Sequence, residues 1–196
     1  MKQILTLLAL LSGFAFAQQQ ATLSGIIKTE TEAPAEARVA IHVVDRDGLP
    51  LVEVDNAVPI ANTFSINTTE LSSDALSSLR SGSILLPGLQ NEYTISPNEG
   101  VNFALARINM YIDSNANETL DFLIDPTYLG IASLEEPIGF FTLIYVDQAV
   151  TFSGRGVDLV LEPGWNIYTV RYPTDGDPSY TIQAAVSDIV MDVFLP

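Results

Sequence analysis

From residue 113 onward, oxygen-bearing side chains recur at alternate positions: Asp113, Asn115 and Asn117, then Asp121 after Thr119. Calcium is a hard cation that takes several oxygen ligands from carboxylates, amides and backbone carbonyls. A loop winding round such an ion aims alternate side chains inward, and a carbonyl at the seventh position, here that of Thr119, adds one more oxygen. Asp113 and Asp121 are the two charged groups in this set. The expected affinity is therefore that of extracellular calcium modules, about 10⁻⁴ to 10⁻³ M.

In this spacing the segment resembles the calcium loops of EF-hand, dockerin and thrombospondin type 3 repeats. Over about a dozen residues, the resemblance implies Asp113, Asn115, Asn117, Thr119 and Asp121 as ligands and Ca²⁺ as the cofactor. Two positions depart from the pattern. The sixth, normally a glycine for the sharp turn, is Glu118; the twelfth, normally a bidentate glutamate, is Ile124, with Asp125 one residue later. The competing reading is an Asx-rich turn, because Asn and Asp side chains accept hydrogen bonds from backbone groups two residues on without any metal.

Catalytic chemistry has few residues to draw on. His42 is the only histidine and there is no cysteine, so a zinc site built on His or Cys is excluded by count. His42 lies in the apolar run from Val39 to Val44, which reads as a strand, and no serine stands in a nucleophile-elbow sequence that would complete a triad with it. It reads as a packed structural residue. Glu30 with Glu32, Glu135 with Glu136, and Asp175 with Asp177 are the acid pairs that glycoside hydrolysis would need, each in a loop-like context. Trp165 follows Pro163-Gly164 and begins an aromatic strand, which would stack sugars if exposed and serve as core if buried.

The elements that must carry these residues are short. Apolar segments rich in Val, Ile, Thr, Phe and Tyr alternate with Gly, Pro, Asn and Asp clusters, the pattern of many strands. Strands are predicted at about 22–28, 38–45, 51–55, 64–67, 83–86, 102–113, 139–146, 150–152, 157–161, 165–172, 180–185 and 189–194. Asp45-Arg46-Asp47-Gly48 supplies a hairpin turn, and 29–36 reads as an exposed acidic connection. One helix is predicted over 68–80, with Leu71, Ala75, Leu76 and Leu79 on one stripe.

About ten strands without alternating helices point to an all-β, antiparallel β-sandwich with at most one short helix. The opening Thr22-Leu23-Ser24-Gly25-Ile26-Ile27, an acidic link and then the run from Val39 to Val44 resemble the first strands of immunoglobulin-like or transthyretin-like modules of exported bacterial proteins. That resemblance implies a fold class and assigns no functional residues.

The ends and the charge bound the function. Lys2 precedes an apolar run from Ile4 to Phe16, which closes on Ala15-Phe16-Ala17. This reads as a signal peptide over 1–17, cut before Gln18, leaving 18–196 as one domain. The run is too short to span a bilayer, no later segment of the mature chain is a membrane span, and no Cys stands at the cut to take a lipid. Loss of Lys2 takes the formal charge from −16 to −17, which disfavours nucleic acid as a partner and favours cations and basic surfaces. The expected protein is an exported, non-catalytic binding or structural module with an envelope or extracellular partner, located in the periplasm, at the cell surface or outside the cell. The rivals are a hydrolase acting on polysaccharide and a carbohydrate-binding module.

Overall fold

The computed structural model describes residues 18–89, 93–128 and 130–193, so the segment read as a signal peptide, 1–17, lies outside the described residues. Within them the chain forms β1 (Thr22–Lys28), β2 (Ala37–Val44), β3 (Pro50–Ala57), β4 (Thr63–Asn67), β5 (Ser77–Ser78), β6 (Thr94–Ser96), β7 (Asn102–Ile112) and β8 (Thr127–Tyr128). It continues with β9 (Gly130–Leu134), β10 (Gly139–Val146), β11 (Val150–Gly154), β12 (Val157–Leu161), β13 (Gly164–Arg171), β14 (Ser179–Gln183) and β15 (Ala185–Val193). The all-β fold expected from the sequence is the fold that forms. Among the described residues no helix is long and apolar enough to cross a membrane.

The strands make two sheets. The larger runs β3-β2-β7-β10-β9-β15-β1-β4, with β13 and β14 branching from β10; the smaller is β12-β11-β6. The terminal strands of the long path, β3 and β4, lie beside each other, so the large sheet nearly closes into a barrel-like shape. The sheet is mixed, because β1 runs parallel to β15 from Thr22 opposite Ala185 to Lys28 opposite Asp192. At that seam a side chain on Gly25 would place Cβ 2.0 Å from the Ile189 carbonyl oxygen, so the close approach of the two strands requires glycine.

Side chains alternate across a strand, and here both sets are used. On β10, Leu143 and Tyr145 face one core with Trp165 and Ile167 of β13; Ile144 and Val146 face a second core with Tyr168 and Val170. The first core fills the barrel with Leu23, Val39, Ile41, Val43, Ile66, Met110 and Ile189. The second lies between the large sheet and the small one, against Val150, Phe152, Leu159 and Leu161. Burial on both faces explains why β10 reads as a nearly continuous apolar run. Each such side chain contributes about 1.5–3 kcal/mol on burial, which stabilises a chain with no disulfide.

Two predicted elements are corrected. The helix over 68–80 is instead a single 3₁₀ turn, Ser73–Ala75, followed by β5. Leu71 belongs to the first core and Leu79 to the second, so the chain must pass from one to the other in extended form, and its serines offer little helical propensity to oppose this. The segment 83–86 is irregular, with a lone bridge residue at Leu86, rather than a strand, although Ile84 and Leu86 are fully buried in the second core.

Candidate functional site

The segment 113–126 leaves the end of β7 and returns into β8, with Ile112 N–H donating to the Pro126 carbonyl at 3.0 Å and Asp113 N–H to that of Glu36 at 3.0 Å. It folds over the outer face of β2, β3 and β7. Alternation on β2 puts Arg38, Ala40 and His42 on that face, opposite Tyr111, Asn109 and Arg107 of β7. On β3 the register skips one residue between the partners of Ile41 and His42, so that Asn56 pairs with Ala40 and Glu53 with His42. Three apart, Glu53 and Asn56 would otherwise point to opposite faces. The bulge re-aims them onto the same one.

A chain of polar contacts results. Asn109 Oδ1 lies 2.8 Å from His42 Nδ1, and His42 Nε2 lies 3.1 Å from Glu53 Oε2. Glu53 Oε2 also accepts from Leu120 N–H at 3.0 Å, and its Oε1 accepts from Asn56 Nδ2 at 2.6 Å. Arg38 Nη1 donates to Asn56 Oδ1 at 2.8 Å, while its Nε donates to Asp113 Oδ2 at 2.9 Å. The loop is thus clasped to the sheet at both ends of one network. Burial pushes the Glu53 carboxyl up, but hydrogen bonds from His42, Leu120 N–H and Asn56 outweigh it and hold the group below its ordinary range. Asp113 is held low in the same way: burial is overcome by Glu118 N–H, Arg38 and Asn117 N–H.

The residues predicted as ligands are brought into one loop, with the side-chain oxygens of Asp113, Asn115, Asn117 and Asp121 turned onto the loop's own backbone. Asp113 Oδ1 accepts from Asn117 N–H and its Oδ2 from Glu118 N–H, each at 3.0 Å. Asn115 Oδ1 accepts from Asn117 N–H at 3.2 Å, Asn117 Oδ1 from Thr119 N–H at 3.0 Å, and Asp121 Oδ1 from Leu123 N–H at 3.0 Å. Asp125, one residue past the twelfth position, is buried and folds back to accept from Ser114 N–H and Asp121 N–H, each at 2.8 Å. Glu118 takes a left-handed φ of 66°, as does Ala116 at 56°. The sharp turn that a glycine normally serves therefore forms on a glutamate. Among the described residues no three Asp, Glu or His side chains group closely enough to hold a metal by themselves.

No protein-family model, no curated protein and no solved structure matches this chain. His42 is buried and both ring nitrogens are engaged, which leaves it no access to a substrate. Of the nominated acid pairs, Glu135 is tied to Lys28 at 3.0 Å on the surface, and Asp175 and Asp177 lie exposed in the loop between β13 and β14. Trp165 is buried, packs edge-on against Tyr145 at 5.4 Å and donates its Nε1–H to the Thr69 carbonyl at 2.7 Å. It is core, not a sugar-stacking platform.

Two further features come from the fold. The Tyr111 hydroxyl is buried under the loop with no well-aligned hydrogen-bond partner among the described residues. Burial, then the negative charge of Glu53, pushes its pKa far above the ordinary phenol value. Phe122, Leu123 and Ile124 form the loop tip, exposed by 57%, 96% and 53%. That display was visible as three consecutive apolar residues between Asp121 and Asp125, but only the fold puts them outside.

Proposed function

We propose that this chain is an exported, non-catalytic binding module of the cell envelope or the extracellular space, and that the 113–126 loop is its contact element. The observation that carries the reading is the tip itself: three large apolar side chains in water, on a loop clasped by Glu53, Arg38, Asp113 and Asp125. Exposed contiguous apolar groups on a rigid support mark interaction sites. The closed environment of His42 supports a non-catalytic role. A photo-crosslinking residue in place of Leu123 is expected to give a discrete adduct in intact exporting cells. The same residue in place of Arg46, whose side chain is 93% exposed on a hairpin turn, is expected to give none. Identical adducts from both positions, or none from position 123, would sink the reading.

A second reading is that the loop takes calcium, with Asp113, Asn115, Asn117, the Thr119 carbonyl and Asp121 as ligands and Asp125 in support. What favours it is charge: Glu53, Asp113, Glu118, Asp121 and Asp125 stand around the loop, with the guanidinium of Arg38 among them. Calcium also accepts amide and carbonyl oxygens, so the mixed set fits the ion. The Arg38 contact with Asp113 competes with it and keeps the affinity modest. Binding to the folded state alone stabilises by RT ln(1 + [L]/Kd), about 2.7 kcal/mol at a hundredfold excess over Kd. Calcium at several millimolar is expected to raise the melting temperature by a few degrees over chelator, less for Asp113→Ala with Asp121→Ala, and magnesium to do less still. Equal curves in calcium and chelator for the native chain remove the ion and leave the clasp.

A further inference from the structure

Cleavage before Gln18 would leave a first residue that adjoins a segment held by backbone hydrogen bonds. Gln19 N–H donates to the Pro163 carbonyl at 2.8 Å, Trp165 N–H to the Gln19 carbonyl at 2.7 Å, and Gln19 Nε2 to the Trp165 carbonyl at 3.1 Å. Gly164 has φ +104°, and a Cβ there would lie 2.4 Å from the Gln19 oxygen. The terminal segment thus needs a glycine beneath it. Gln18, half-buried, then reaches a cavity of about 80 Å³ lined by Gln18, Gln19, Gln20, Glu70, Tyr145 and Trp165. At its wall the buried Tyr145 hydroxyl donates to Gln18 Oε1. Burial, then the Glu70 charge, pushes that phenol's pKa up, so it stays a protonated donor.

We propose that Gln18 is a modification site, at which the processed terminus closes on its own side chain to pyroglutamate with Tyr145 as the donor that promotes ring closure. The inference rests on the cleavage reading given above. The α-amine attacks Cδ of the side-chain amide; the new N–Cδ bond forms, the Cδ–Nε2 bond breaks, and the amine's proton leaves with Nε2 as ammonia. No oxidant, reductant or co-reactant is needed. Negative charge develops on Oε1, the atom that Tyr145 contacts, and a fixed donor at such an oxygen is worth a hundredfold or more in the best cases. Both reacting groups belong to one residue, which supplies the proximity. The product has lost the charged amine and presents a lactam carbonyl to the same hydroxyl, leaving an end without the free α-amine that ordinary aminopeptidases recognise.

The test follows intact mass from the moment purified signal peptidase cuts the full-length chain. The expected result is a species one ammonia lighter than 18–196, appearing at least about tenfold faster in the folded protein than in the same protein unfolded in urea. Tyr145→Phe, with its fold checked by melting, is expected to slow the step to the unfolded rate. A mature chain starting at another residue overturns both the cleavage reading and this one. A chain starting at Gln18 that keeps its ammonia, or loses it equally fast folded and unfolded, overturns this one alone. The urea comparison uses the native sequence, so it decides the matter even if Tyr145→Phe does not fold.

Discussion

Trp165→Ala is expected to lower the unfolding free energy by about 3–5 kcal/mol, a drop in melting temperature on the order of 10 °C for a chain of this size. Trp165 is the largest fully buried side chain and stands in the first core against Tyr145. Truncation removes its packing, leaves a cavity, and strands the Thr69 carbonyl that accepts from its Nε1–H at 2.7 Å. The backbone of Trp165 also holds Gln19, so the terminal segment should loosen as well. Trp165→Phe keeps most of the volume and loses the hydrogen bond, at about 1–2 kcal/mol. Chemical denaturation of both variants checks the order. An alanine variant within about 1 kcal/mol of the native chain would mean that the side chain is not core.

Glu53→Ala is expected to cost about 3 kcal/mol, because it leaves His42 Nε2, Leu120 N–H and Asn56 Nδ2 without their common acceptor. The loss should be local before it is global. Hydrogen exchange at Leu120, and at Asn117 and Glu118 on the Asp113 side of the clasp, should accelerate ahead of the barrel strands. Acid should act in the same direction. Glu53 and Asp113 bind protons less readily in the folded chain than at their ordinary values of 4.5 and 3.8. Their contribution is therefore complete above those values and is lost as pH falls through and below them. Thermal melts from pH 6 down to pH 2 should show the native chain losing stability in that window and Glu53→Ala losing less. Unchanged exchange at Leu120 in the variant would remove the clasp from the account.

Much of this architecture was legible in the chain, and the reasons are local. β1, β10 and β12 occupy the predicted 22–28, 139–146 and 157–161; for β10 and β12 the reason is that apolar runs rich in β-branched and aromatic residues, bounded by Gly, Pro or Asp, favour a pleated strand wherever it packs. β9 was not legible: Gly130, Ala132 and Ser133 have little strand propensity, and the element exists because β15 pairs with it from Ile189 to Val193. The helix over 68–80 failed for the complementary reason. A stripe of leucines at helical spacing says that they are buried, not that they share one core, and two cores claim Leu71 and Leu79.

The oxygen spacing of 113–121 likewise announced a tightly turned loop, since Asx side chains bond their own backbone over two residues whatever surrounds them. That Asp125 would close it, that a glutamate would take the glycine's φ, and that Arg38, His42 and Glu53 would reach it followed from no local rule. His42 and Glu53 meet because β2 and β3 pair with one extra residue, and Arg38 reaches Asp113 because β2 lies beside β7. By itself the sequence determined the all-β class, the acidic charge and the turn chemistry of the loop, all of which depend on neighbours in the chain. The tertiary structure decided which side chains share a face, because strand register and bulges are set by the burial of the whole sheet and no single strand encodes them.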